Sequence, residues 1–145
     1  MNAEQPADIP DVIIVALASQ AERLYSEDRL DRARELLEIL IRHCPDAAGF
    51  WSLLGVIHRR QDRIVPALRC LQRALDLDPD DKNALVNLGE TLILAGKVIE
   101  GAGLLRALFE DGYDPALPPH QQDLFTRRAG AQLALLVSIA EEHVS

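Results

Sequence analysis

The stretch WSLLGVIHRRQDRIVPALRCLQRALDLDP, residues 51–79, decides the fold of this chain. It contains two segments with apolar residues at helical spacing, joined by a short polar turn. Gly55 in the first segment and Ala67 in the second are small, as two closely crossing helices require. Pro79 ends the second segment because it has no N–H to donate and biases the preceding residue away from helical angles. The stretch therefore predicts a helix–turn–helix pair.

This pair recurs every 34 residues. Steps of 34 from the central pair find matching types: Ala33 and Gly101 for Ala67, Leu37 and Leu105 for Leu71, Pro45 for Pro79, and Leu88-Gly89 for Leu54-Gly55. These types at these offsets are those of the tetratricopeptide repeat, a helix–turn–helix unit of 34 residues. The first unit matches least, with Gln20-Ala21 in place of Leu-Gly, and outer repeats are commonly atypical. We predict an all-α fold with three repeats, at about 14–47, 48–81 and 82–115.

Two segments flank these repeats, one on each side. Residues 1–9 are polar and predicted to be mobile, residues 10–115 hold the repeats, and residues 116–145 form a proline-rich loop and a capping helix from about His120 to Glu142. We count seven helices and no strands. The two helices of each repeat are labelled A and B: helix 1A is predicted at Asp11 to Ser26, helix 1B runs to His43, helix 3A covers about Lys82 to Ala95, and helix 3B covers Val98 to Glu110. Asp31 and Asp81 are the expected N-caps of helices 1B and 3A. Gly101 and Gly103 in helix 3B are expected to allow close approach to helix 3A.

Composition excludes several classes of protein. The formal net charge is −8, which disfavours nucleic acid as a partner. No apolar run reaches membrane-spanning length, and the acidic N-terminus lacks the basic region of a secretory signal, so we expect a cytoplasmic protein. Cys44 and Cys70 have no metal-binding spacing and are expected to be free, buried, reduced thiols.

Enzyme signals are missing from the sequence. It has no glycine-rich phosphate loop, no His-Glu-x-x-His and no Gly-x-Ser-x-Gly. His58 takes a helix A position usually held by an aromatic residue, which favours a packed, hydrogen-bonded histidine over a catalytic one. Cys70 has no evident base partner. We therefore expect no enzymatic activity, no cofactor and no metal.

Function is then expected from shape, because stacked helix pairs form a superhelix whose concave groove is lined by the A helices. The groove positions map onto Ala18, Glu22 and Tyr25 in the first repeat, Ser52, Val56, Arg59 and Arg60 in the second, and Asn83, Val86, Glu90 and Ile93 in the third. This mixture suits an extended peptide. Arg59 and Arg60 also fit a merely solvated helix face, whereas Tyr25, Val56, Val86 and Ile93 do not. Val56→Glu is expected to abolish binding of the polypeptide partner, the client, and leave helicity intact.

One kind of groove ligand is excluded by two residues. Some tetratricopeptide adaptors of heat-shock chaperones hold a peptide's terminal carboxylate with a clamp of Lys, Asn and Arg. Ala18 and Glu22 stand where the first Lys and the Asn of that clamp would be.

The first helix is apolar nearly all round in its early turns. Val12, Ile13, Ile14 and Leu17 are the candidate surface for a homodimer or another partner. The alternative is that Ile13 and Leu17 pack on helix 1B and the other apolar residues have no partner. The sequence leaves both open.

The segment Gly89-Glu90-Thr91-Leu92-Ile93-Leu94-Ala95-Gly96, with Leu24-Tyr25 and Asp31-Arg32-Ala33, resembles a known family. It is similar to the tetratricopeptide chaperones of bacterial type III secretion that hold translocator proteins, and to small relatives of the same apparatus. The similarity covers about residues 20–110. It implies three repeats and a C-terminal helix on an acidic chain, and a chaperone that holds a hydrophobic secreted client in extended form before export.

The resemblance departs from the family at one end. Only about ten residues precede the first helix, where the family's chaperones carry a longer segment used in dimerisation. This leaves the dimer mode open and favours a smaller relative that binds a needle or export component. The alternative function is a general tetratricopeptide scaffold in a larger assembly with no export role.

Overall fold

The computed structural model describes residues 8–144, and this part of the chain is helical without any strand. The helices are α1 Asp11–Ser26, α2 Leu30–His43, α3 Ala48–Arg60, α4 Ile64–Leu77, α5 Lys82–Leu94, α6 Val98–Gly112 and α7 Leu124–Val144. A 3-10 turn, Pro119–Gln121, lies between α6 and α7. The predicted all-α class is confirmed. The mobile terminus predicted for residues 1–9 lies mostly outside the described residues.

The turns inside the three helix pairs repeat the period of the sequence. Each contains one residue with a left-handed backbone, and these residues are 34 apart: Asp28 (φ 61°), Asp62 (φ 58°) and Gly96 (φ 83°). The N–H of the following residue donates to a carbonyl five positions earlier in every case: Arg29 to Leu24 at 2.8 Å, Arg63 to His58 at 2.8 Å, and Lys97 to Leu92 at 2.9 Å. This bond closes a Schellman-type helix end. The first pair therefore has the same local geometry as the other two, despite its weaker sequence match.

The N-cap predictions had different outcomes. Asp81 caps α5 as predicted, because its carboxylate accepts from the N–H groups of Asn83 and Ala84. The prediction for Asp31 was wrong, since α2 already begins at Leu30 and Asp31 lies in its first turn. Its Oδ1 instead accepts from Gln61 Nε2 at 2.8 Å. Directly after the Schellman-type turn, α2 thus begins two residues earlier than a cap at Asp31 would give.

The last helix also begins differently from the prediction. Pro119–Gln121 forms the 3-10 turn, and α7 starts at Leu124 rather than near His120. Asp123 stands before it and accepts from the N–H groups of Phe125 and Thr126 at 2.9 and 3.1 Å. The Thr126 hydroxyl also donates to Asp123, and this bond lowers the pKa of the Asp123 carboxyl, with help from the two backbone N–H groups.

Glycine sets the distance between paired helices. A Cβ on Gly55 would lie 2.7 Å from Leu71 Cγ, and one on Gly89 would lie 2.8 Å from Leu105 Cγ. The leucines of α4 and α6 thus occupy the space that a side chain on α3 or α5 would need. The predicted close crossing of these helices is confirmed.

The chain divides into two compact units, one up to Pro79 and one from Asp80 on. The first contains α1 to α4 around a core that includes Leu37, Leu40 and Ile57. The second contains α5 to α7 around Val86, Leu105, Leu108 and Ala129. The division into a terminus, a repeat domain at 10–115 and a capping segment at 116–145 stays a prediction.

Candidate functional site

In the N-terminal unit, the candidate surface centres on Tyr25 of α1. Tyr25 is half-buried against the core, and the guanidinium carbon of Arg60, at the end of α3, lies 5.1 Å from the centre of its ring. Arg60 Nη2 also donates to Asp28 Oδ1 at 2.6 Å. The arginine is thus fixed over the tyrosine by a cation–π contact and an ion pair. The sequence had mapped Arg60 to the groove but could not separate it from a solvated helix face.

The other predicted positions of this unit differ in exposure. Glu22 is exposed, while Ala18 and Arg59 are half-buried. Ser52 and Val56 are buried, with exposed fractions of 4% and 8%. Val56→Glu would therefore place a carboxylate in packed surroundings, so the expectation that it spares helicity conflicts with the structure. Ser52 Oγ has no hydrogen-bond partner within residues 8–144.

In the C-terminal unit, α7 covers part of the predicted groove face of α5. Val86 is fully buried in the core that Ala129 of α7 completes, and Ile93 packs against the same core. Arg128 Nη2 of α7 lies 2.7 Å from Glu90 Oε2. Asn83 alone of the four predicted positions is exposed. The chain's own last helix thus covers part of the α5 face that was predicted to bind a peptide.

The apolar surface of α1 is divided between core and solvent. Ile14 and Leu17 pack against the core of the N-terminal unit. Val12 and Ile13 are exposed, with exposed fractions of 73% and 45%. The alternative prediction was that Ile13 and Leu17 both pack inward. Leu17 packs against the core, whereas Ile13 is exposed. The role of the exposed residues as a partner surface stays a prediction.

His58 is buried between basic groups. Burial lowers the pKa of its imidazole, and Arg63 and Arg34 lower it further, while Glu38 opposes them. The ring is therefore neutral at neutral pH. Its Nδ1 has no hydrogen-bond partner in the described part of the chain, so the expected hydrogen bond is not seen at this atom.

The two thiols are free, and they differ in their surroundings. Cys70 is buried and Cys44 is half-buried, so the expectation that both are buried was wrong for Cys44. Burial raises the pKa of Cys70 to about 11, with a smaller contribution from Glu38. The reactive thiolate of Cys70 is therefore scarce below that pH.

We expect Cys44 to react with iodoacetamide in the native protein at pH 8 at least ~10-fold faster than Cys70, because Cys70 is both shielded and protonated. Peptide mapping by mass spectrometry after timed labelling measures both rates. In guanidinium chloride the two rates should converge. Equal rates in the native protein would contradict the burial of Cys70.

No group of His, Cys, Asp and Glu side chains among residues 8–144 has the arrangement of a metal site. None of the helices described for this chain combines the length and apolar character needed to cross a membrane.

Comparison with known proteins identifies the repeats. Residues 48–81 and residues 67–115 each match a family model described as tetratricopeptide repeat. Residues 48–115 of this chain are therefore tetratricopeptide repeats, as the 34-residue period predicts.

Two solved structures are similar to this chain over most of its length. The Yersinia enterocolitica type III secretion translocator chaperone SycD has a TM-score of 0.78 and 16% identity, over 92% of this chain and 90% of that chain. PcrH, solved in complex with the chaperone binding region of PopD, has a TM-score of 0.76 and 17% identity, over 91% of this chain and 96% of that chain. At this identity, the likeness shows that the chain has the fold of these chaperones.

A curated relative matches a shorter region. The human protein O-mannosyl-transferase TMTC1 is 31% identical over 86 residues, which are 59% of this chain. The chain spans about a tenth of the length of the curated relatives it matches.

Proposed function

We propose that this protein is a non-enzymatic tetratricopeptide chaperone that holds an aggregation-prone segment of a secreted client in the bacterial cytoplasm before type III export. The observation that carries the proposal is the half-buried ring of Tyr25 under Arg60, on the helix face that the repeat uses for peptides. The shared fold with translocator chaperones, one of them solved with a client region, supports it.

The proposed contact surface is the exposed part of α1 and α3 in the N-terminal unit. An apolar client side chain would pack against the free edge of Tyr25, while Arg60 and Asp28 keep the ring in place. Ala18 leaves room for an extended backbone, and Glu22 and Arg59 supply polar contacts beside it. Val56 and Ser52 would support this surface from below.

The face of α5 has a smaller part in this proposal. Asn83 is open to a client, whereas Val86 lies in the core and Arg128 is already paired with Glu90. A client could pair with Glu90 only after displacing Arg128 of α7. We therefore assign the main contacts to the N-terminal unit.

Binding of this kind is expected to be moderate in strength. The client loses conformational freedom when it is ordered, and this cost offsets part of the energy gained by burying its apolar side chains. Moderate affinity suits a chaperone that must release its client to an export machine.

The test is co-purification from the native cell with Tyr25→Ala. We expect the wild-type chain to retain a type III secretion substrate, identified by mass spectrometry. Loss of the aromatic ring should reduce the recovered client at least ~10-fold, as for other central aromatic anchors. The matched control is Tyr113→Ala, which removes an exposed tyrosine of the C-terminal unit and should leave client recovery unchanged.

Other outcomes separate the alternatives. Stable recovery of a non-secreted complex would favour a general scaffold and overturn the export role. Equal recovery of a secreted client with Tyr25→Ala and wild type, at unchanged thermal stability, would overturn the assignment of the surface but not the chaperone role.

A further inference from the structure

The second half of α7 is an apolar helix with little cover. Leu135, Val137, Ile139 and Val144 are exposed, with exposed fractions between 44% and 88%, although they point in different directions around the helix. A helix that is apolar all round is normally surrounded by other helices. The segment is the end of a 21-residue helix, and burial of its exposed apolar side chains would stabilise it.

The same unit contains a groove of matching character between α6 and α7. Its volume is about 720 Å³. Aliphatic and small residues form most of its walls: Val98, Ile99, Ala102, Ala107, Leu136 and Val137. Ile99 is 90% exposed, so the α6 wall is as uncovered as the end of α7. Two antiparallel helices with an apolar groove between them form a seat for a third helix.

We infer that the C-terminal unit forms a two-fold dimer in which the end of α7 from each copy lies in the α6–α7 groove of the other. Helix and groove belong to the same unit, so two copies can exchange these contacts around a two-fold axis. Each contact is then made twice, and the exposed residues of both elements are covered in one step. A different protein bound in the groove would cover the groove walls but would leave the apolar end of this chain's α7 exposed.

Charge favours the same occupant. Arg106 is the basic side chain in the wall of the groove, and it has no ion-pair partner in the part of the chain that the structure describes. The end of α7 carries Glu141 beside Val137 and Val144. The Glu141 of a second copy laid in the groove can pair with Arg106. Glu110 lies one turn after Arg106 on α6. It would repel the Glu141 of the second copy if that helix were shifted by one turn toward it.

The inference is tested by sedimentation equilibrium of the full chain. We expect a dimer in the wild type, and we expect Val137→Glu or Ile99→Glu to raise the dimer dissociation constant at least ~100-fold by placing a charge in an apolar interface. Both sites are exposed within one chain, so circular dichroism should show folded protein in each variant. Val65→Glu on α4, which is 58% exposed as Val137 is, is the control and should leave the constant unchanged.

Charge reversal provides the second measurement. Arg106→Glu should weaken the dimer by about 10-fold, and adding Glu141→Arg should restore it. A wild-type monomer throughout the micromolar range would overturn the inference, because the groove would then await another protein. A dimer lost with Val12→Glu but kept with Val137→Glu would also overturn it. None of these outcomes depends on client binding at Tyr25, so the proposed function is tested separately.

Discussion

Gly101→Ala is expected to destabilise the C-terminal unit, although alanine is the better helix former. A Cβ at this position of α6 would lie 2.6 Å from the carbonyl oxygen of Gly89 and 2.8 Å from Ile93 Cγ1. The carbonyl belongs to the backbone of α5, so relief requires the two helices to move apart. Such overpacking costs about 1–3 kcal/mol, and the helix would also lose its fit around Leu105.

The expected result is a fall of about 5 to 10 °C in the midpoint of thermal unfolding, followed by circular dichroism at 222 nm. The matched control is Gly103→Ala, two residues along the same helix. A Cβ there meets nothing within 4 Å. That change should therefore stabilise the protein by up to ~1 kcal/mol, the helix propensity of alanine over glycine.

The pair of variants also separates two expectations for α6. The sequence assigned close approach to both glycines, and the structure confirms it for Gly101 but not for Gly103. Changes of opposite sign in the unfolding midpoint would establish that difference in solution. Stabilisation by both substitutions would mean that α5 and α6 are further apart than the structure has them.

Val56→Glu is the second substitution with a large expected effect. Val56 is 8% exposed and its neighbours along α3, Gly55 and Ile57, are also buried. An unpaired carboxylate there would lose its hydration, and the expected loss of stability is on the order of 4 kcal/mol. Because small domains have only about 5–15 kcal/mol of stability, the variant should unfold at a much lower concentration of urea.

Val65→Glu is the matched control for this change. Val65 lies on α4 of the same unit and is 58% exposed, so the same substitution should shift stability by no more than ~0.5 kcal/mol. Urea unfolding curves of both variants measure the difference. If Val56→Glu had the same midpoint as wild type, the face of α3 at Val56 would be open, as the groove prediction first required.

Local features of this fold could be predicted because they depend on residues close in sequence. The limits of α1, the cap at Asp81 and the close helix crossing at Gly55 all follow from residues within one helix pair. The cap predicted at Asp31 was wrong. Asp31 has a different role because α2 begins two residues earlier than that cap would give, and Gln61, just after α3, donates to its carboxylate.

The candidate site was less predictable, since exposure depends on what packs over a helix from elsewhere. Tyr25 and Glu22 remain accessible on α1, and the sequence assigned both. Val86 occupies an equivalent helix face, yet it is buried because α7 lies on α5. Arg128 lies on α7, and nothing in the sequence specified Glu90 of α5 as its partner.

The 34-residue period by itself determined that the chain folds into helix pairs, where each pair turns, and which small residues let the helices touch. These are consequences of backbone geometry and of side chains a few turns apart. Only the tertiary structure decided which faces of those helices stay open: Tyr25 under Arg60 in one unit, and the α6–α7 groove with the end of α7 in the other. The reason is that α7 is joined to the repeats by a loop, and its docking on α5 depends on long-range packing that no local spacing encodes.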